Sequence, residues 1–148
     1  MRVLSVGDRF ISAGYYVDAL AAVCGPRFGP VQADWPGNKA EQHDAQQTME
    51  WHGPGAMAAL GEIVVSVGDS EVPALHFAPV SWEVLRIAPQ LRAVCAARAG
   101  RENVGIAAAT ARGVAVVPVS GRNATAAVGL AASSRCAVAV NAREPRWV

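Results

Sequence analysis

Short runs of β-branched and apolar residues alternate along this chain with stretches whose apolar positions recur every three or four residues. Arg2 to Val6 is the first run, closed by Gly7-Asp8. Behind it, Ser12 to Cys24 spaces Tyr16, Leu20 and Val23 at helical intervals, with Ser12 placed to cap. Gly25-Pro26 breaks that helix, Val31 to Trp35 makes a second predicted strand, and Pro36-Gly37-Asn38 turns the chain into Glu41 to His52, a polar stretch read as a solvated helix. Gly53-Pro54-Gly55 stops it, Ala56 to Val67 resumes helical spacing, and Val72 to Phe77 is a compact apolar run suited to a buried parallel strand. The unit then repeats. Ser81-Trp82-Glu83-Val84-Leu85 opens a helix, Leu91 to Ala96 is a strand, Asn103 to Arg112 is an Ala-rich helix, and Val114 to Val119 is a last apolar strand. Strands alternating with helices predict an α/β fold: a flavodoxin-like parallel sheet of about five strands with helices on both faces. Ala124 to Val140, almost all Ala, Val, Gly and Ser, reads as one more helix, followed by a polar end that frays.

At 148 residues, 52% of them hydrophobic, the chain has the material for one cored domain without disulfides or metal. Its formal net charge is +1, and of 13 basic residues only Lys39 is a lysine, so no basic stripe offers itself to a phosphate backbone and nucleic acid is not an expected partner. The apolar run after Arg2 is too short for a signal-peptide core, and no stretch approaches the roughly 20 apolar residues of a membrane span. A cytoplasmic protein with no membrane partner is expected. Cys24, Cys95 and Cys136 are widely spaced without CxxC, which points to buried inert thiols rather than to disulfides or zinc.

A parallel sheet binds ligands at the carboxyl ends of its strands, which directs attention to the loops after Val6, Phe77, Ala96 and Val119. The loop from Ala97 to Asn103 combines small residues, which permit close backbone approach, with Arg98 and Arg101, which can meet an anion. An ordinary strand-to-helix turn with solvated arginines is the competing reading. No GxGxxG follows a predicted strand and no GxxxxGK[ST] is present. Gly121-Arg122-Asn123 lacks the further glycines of a phosphate loop, so classical nucleotide binding by this chain alone is not expected. His43 and His52 are read as surface residues and His76 as a satisfied histidine at the rim of the core; no metal is predicted. Cys95, inside a strand and away from any cation, makes no candidate nucleophile. Asp8 and Lys39 do not supply the clustered aspartates and terminal lysine of a receiver domain.

From about His76 to Thr125 the order of features resembles the D-isomer-specific 2-hydroxyacid dehydrogenase family, which includes D-3-phosphoglycerate dehydrogenases and glyoxylate or hydroxypyruvate reductases. His76-Phe77-Ala78-Pro79-Val80 ends a strand and Ala88-Pro89-Gln90-Leu91-Arg92-Ala93-Val94 leads the next. Arg98-Ala99-Gly100 with Glu102-Asn103-Val104 then matches the family's glycine loop and asparagine. Ala107 to Val114, Pro118 and Gly121-Arg122-Asn123-Ala124 continue in register. The resemblance implies a substrate domain over residues 1–121, with residues 122–148 beginning an interdomain helix before an unmatched tail. It implies that the carboxylate of a 2-hydroxy or 2-oxo acid is gripped by main-chain N–H groups of Ala99 and Gly100, with Arg98 beside them and Phe77 and Ala78 completing the substrate-binding set.

The resemblance also implies an NAD-dependent oxidation of a CH–OH group, with NAD bound in full-length relatives that are homodimeric. The arginine, glutamate and histidine that bind and deprotonate substrate there belong to a second domain and have no position in this sequence. No catalytic or cofactor-binding residue is therefore expected in this chain, which is expected to be a truncated or frame-altered product, inactive alone. Gly105 stands where the family has an acidic helix-starting residue, and the match fails after Ala126. A stand-alone α/β module that binds or senses a small acid is the alternative, and a degenerate product without function is a third.

Overall fold

The computed structural model describes residues 1–25, 28–58 and 61–119. The expected boundary at residue 121, the helix from Ala124, the turn Gly121-Arg122-Asn123 and Cys136 lie outside them. In chain order the described elements are β1 (Arg2–Gly7), α1 (Ala13–Cys24), β2 (Gly29–Asp34), α2 (Lys39–His52), α3 (Gly61–Val67), β3 (Val72–Leu75), α4 (Trp82–Ile87), β4 (Ala93–Ala96), α5 (Ile106–Ala111) and β5 (Ala115–Pro118). All strand pairs are parallel, and their order across the sheet is β2-β1-β3-β4-β5. That is the flavodoxin-like doubly wound order, with its switch point between β1 and β3.

The pleat sends alternate residues to opposite faces. Leu4 and Val6 of β1, Leu75 of β3 and Val94 of β4 join Ile63, Val67, Val84, Leu85 and Ala109 in the larger core. Val3 and Ala74 face the other way, onto Phe28 and the α1 residues Tyr16, Val17 and Leu20. Helices therefore lie on both faces, although α1 is the only described helix on the second. Leu4 and Leu85 are fully buried, and each such side chain contributes about 1.5–3 kcal/mol of transfer free energy.

The elements fall where the pattern puts them, with differences at their ends. Val23, expected on the buried stripe of α1, is 85% exposed, because Val17 and Cys24 share the inward face with Tyr16 and Leu20. Ser12 occupies the cap position of α1 with extended backbone, but its side chain accepts no capping bond. α2 starts at Lys39, two residues before the expected Glu41. Asn38 Oδ1 accepts from the N–H groups of Ala40 and Glu41, and the Glu41 carboxylate accepts from Asn38 N in return. This helix is not wholly solvated either, since Met49 is in the core and Gln42 is buried. Gln42 donates to Trp35 O at 2.6 Å and accepts from Arg9 N at 2.8 Å, which stitches the loops after β1 and β2 together.

The helix expected from Ala56 is divided: Pro54–Ala56 forms one 3-10 turn, and α3 begins at Gly61. β3 ends at Leu75 instead of Phe77, and α5 starts at Ile106 instead of Asn103, because His76, Phe77 and Asn103 are spent on loop-to-loop contacts. β5 is an edge strand with alternating exposure, so Val117 is half exposed rather than buried. Cys24 and Cys95 are half-buried, not fully buried, and burial pushes the Cys95 thiol up from its ordinary value.

Candidate functional site

Parallel pairing of β3 with β4 puts the loops that follow them on one edge of the sheet, and the bonds between those loops fix their spacing. Val80 N donates to Asn103 O at 2.7 Å and Gly105 N to Val80 O at 2.9 Å, a small parallel bridge beyond the strands. Asn103, fully buried, donates its side-chain amide to His76 O at 3.2 Å and Ala78 O at 3.0 Å. Its position three residues past Gly100 lets one short side chain brace the turn of the preceding loop. In the sequence Asn103 stands out only as a motif position and a helix start; its bracing role depends on carbonyls more than twenty residues away.

A second brace holds the switch point. Asp8, just past β1, accepts from the N–H groups of Phe10 and Ile11, each at 2.8 Å, from His76 Nδ1 at 3.1 Å and from Phe77 N at 3.3 Å. The Asp8 side chain is 1% exposed and that of His76 8%. Burial pushes the Asp8 carboxyl up, but the bonds from His76, Ile11 and Phe10 outweigh it and hold the group below its ordinary value. The His76 ring stacks on Phe77 with centroids 3.7 Å apart, and Phe10 meets Phe77 edge-on at 5.3 Å. His76 is thus the satisfied rim histidine expected, and Asp8 is the partner that the sequence did not reveal. His43 and His52 are exposed.

Arg98 lies over the Phe77 ring, 5.0 Å from its centroid, with its side chain 13% exposed. One guanidinium nitrogen, Nη2, stands 3.1 Å from Glu50 Oε1 of α2 and 3.1 Å from Glu102 Oε2. A bond from Gln46, helped by the Arg98 contact, holds Glu50 below the usual carboxylate range against the opposing effect of desolvation. Arg98 is therefore matched by carboxylates of this chain rather than left open for an anion, whereas Arg101 is exposed.

In front of this loop lies an open cleft of about 800 Å³, lined by Gly53, Pro54, Trp82, Ala99, Gly100 and Ile106 among others. The main-chain N–H groups of Ala99 and Gly100 donate to no group among the described residues, although both sit outside any helix or strand. Of the five expected site residues, Ala99 and Gly100 line the cleft. Phe77 and Ala78 are buried, and Arg98 stands beside them; none of these three is part of the lining. All five lie on the paired loops at the carboxyl edge of the sheet, two of them at the cleft.

A dinucleotide at the switch point would need a phosphate loop at the end of β1. Gly7 approaches the start of α1 closely, as a strand-end glycine in a phosphate loop does. The donors of that turn, Phe10 N and Ile11 N, are however occupied by the Asp8 carboxylate, which would also repel a pyrophosphate. NAD does not fit there. Among the described residues no group of three His, Cys, Asp or Glu side chains is placed to hold a metal ion, and no helix is long and apolar enough to cross a membrane.

A doubly wound sheet with paired loops at its carboxyl edge defines a class of small-molecule-binding α/β domains. The family model for the catalytic domain of D-isomer specific 2-hydroxyacid dehydrogenases matches residues 40–144, well over half of the chain, and the chain belongs to that family. Among solved structures, NAD+-bound 3-phosphoglycerate dehydrogenase of Entamoeba histolytica is similar with TM-score 0.58 at 14% identity, over 83% of this chain and 34% of that one. NAD-dependent formate dehydrogenase of Staphylococcus aureus gives TM-score 0.58 at 15% identity, over 90% and 37%. D-mandelate dehydrogenase of Rhodotorula graminis gives 0.54 at 20%, over 89% and 35%. These likenesses establish the shared fold, and the chain spans little more than a third of each structure. A comparison with curated proteins found no match.

Proposed function

We propose that this chain is the substrate-side part of an NAD-dependent oxidoreductase acting on the CH–OH group of a 2-hydroxy acid, and that it grips the carboxylate of that acid, or of its 2-oxo product, at Ala99 and Gly100. The observation that carries this reading is a pair of main-chain N–H groups, on residues that line a cleft at the carboxyl edge of the sheet, which donate to no group among the described residues. Backbone donors suit an anion because they are already fixed and need no side-chain ordering. A hydrogen bond to a charged group contributes about 1.5–3 kcal/mol, so a two-point grip alone gives roughly millimolar affinity.

The division of labour is simple. Asn103 and the Val80 bridge set the height of the Ala99-Gly100 turn, and Phe77 and Arg98 support it from beneath. A bound nicotinamide would supply the hydride chemistry; this chain's residues hold and orient the acid at Ala99 and Gly100. The NAD-dependent relatives, with this chain spanning little more than a third of their length, favour the reading.

The test is a titration of the ¹⁵N-labelled 148-residue chain with pyruvate and glyoxylate. Saturable shifts of the Ala99 and Gly100 amides, with no NAD-dependent turnover of lactate, glycerate or phosphoglycerate by the chain alone, are the expected result. Unmoved Ala99 and Gly100 amides at tens of millimolar acid would refute the carboxylate grip, and turnover above a blank would refute the division of labour.

A further inference from the structure

We infer that Glu102 is a built-in competitor for the acid, its carboxylate lying where an incoming carboxylate must settle. The inference rests on the proposed grip at Ala99 and Gly100 and concerns the carboxylate that stands beside it.

Three observations converge. Glu102 Oε2 sits against Gly100, in the space that a Cβ on that glycine would fill, with Glu102 Cδ 2.9 Å and Arg98 Nη2 3.0 Å from the same point. The same Oε2 pairs with Arg98 Nη2 at 3.1 Å, so the carboxylate bridges the turn and the guanidinium. Glu102 and Gly100 both line the cleft, whereas Arg98 does not. An absent side chain at position 100 thus creates a seat, and a side chain two residues later fills it with a carboxylate.

Charge sharpens the competition. Arg98 faces two carboxylates on one nitrogen, Glu50 from α2 and Glu102 from its own loop, and that cluster carries one more negative charge than positive. A carboxylate ligand that merely joined it would meet net repulsion. One that displaces Glu102 keeps the charge count at Arg98 unchanged. The displaced side chain is free to go, being 42% exposed with one ion pair to lose among the described residues. Glu50 also lines the cleft but plays a different part: it holds Arg98 from the α2 side and is not among the atoms nearest to the Gly100 seat.

Removing Glu102's charge should therefore tighten acid binding by about fivefold, the scale of one partly exposed ion pair. The measurement is the pyruvate affinity of the full chain and of its Glu102→Gln, Glu50→Gln and Arg98→Gln variants, read from the Gly100 and Ala99 amide shifts, with pyruvamide as an uncharged probe. Support consists of tighter pyruvate binding in E102Q, a clearly smaller gain in E50Q, and no gain for pyruvamide. Equal gains in E102Q and E50Q would overturn displacement in favour of a diffuse electrostatic effect. Unchanged or weaker binding in E102Q, with Gly100 and Ala99 still responding, would overturn the competitor role while leaving the grip standing. No Gly100 or Ala99 response in any variant, Arg98→Gln included, would remove the grip and the competitor together.

Discussion

Asp8 Oδ2 lies 3.1 Å from His76 Nδ1, a bond that ties the end of β1 to the end of β3 across 68 residues of sequence. An ionised carboxylate only accepts, so Nδ1 carries the proton. With Phe10 N, Ile11 N and Phe77 N on the same carboxylate, the pair closes the switch point that other doubly wound sheets leave open for a ligand.

Asp8→Asn keeps the shape and loses the charge. Unfolding in urea should show a loss of about 1–3 kcal/mol, the cost of leaving buried donors badly matched. The folded protein holds this carboxyl below its ordinary 3.8, so the unfolded chain takes up the proton first. Its stabilisation is complete above that value and fades as pH falls through the lower folded one. The wild-type chain should therefore lose stability more steeply below about pH 4 than the Asn variant, and parallel pH profiles would contradict the assignment.

Asn103→Ala removes the brace between the two loops and strands the carbonyls of His76 and Ala78 in the interior. A loss of about 1–3 kcal/mol is expected by chemical denaturation, together with weakened pyruvate shifts at Gly100. Stability lost with binding intact would show that the loops keep their spacing without it.

Two glycines should respond in opposite ways to a side chain. At Gly7 a Cβ collides with the backbone of Ala13, which cannot move without shifting α1, so Gly7→Ala should cost about 1–3 kcal/mol or more in thermal or urea unfolding. At Gly100 the nearest atoms are the ends of the Glu102 and Arg98 side chains, which can swing aside. Gly100→Val should change stability by no more than about 0.5 kcal/mol, the usual range for a surface change, while abolishing the amide response to pyruvate. A strongly destabilised Gly100→Val would mean that the turn itself needs glycine.

Burial keeps the Cys95 thiol protonated above the ordinary range, which removes the thiolate that reacts with disulfide reagents. Mass mapping after brief exposure to such a reagent at pH 8 should find Cys95 among the last residues labelled. Labelling of Cys95 at the rate of a free peptide thiol would contradict its burial against the α1 face.

Local pattern determined much of this protein. Alternating apolar runs and helical spacings located all five strands, because a short apolar run and a helix packed on one face leave different periods in the text, even where the run, as in β2 and β5, ends up at the sheet edge. The pair of loops at Phe77 and Arg98 was legible for the same reason: parallel strands end on one edge. Tertiary structure alone decided who partners whom. Asp8 and His76, Asn103 and Ala78, or Arg98 and Glu50 meet across tens of residues, and no local spacing encodes such contacts. Element ends moved for a related reason: Asn38 captured α2 early through its own side chain, while His76 and Asn103 left strand and helix because their polar groups found better partners in the neighbouring loop. The sequence singled out Arg98 as a candidate anion holder; the fold set Glu50 and Glu102 against it and left the main-chain N–H groups of Ala99 and Gly100 unbonded among the described residues, since the positions of those carboxylates are set by α2 and by the turn, not by Arg98.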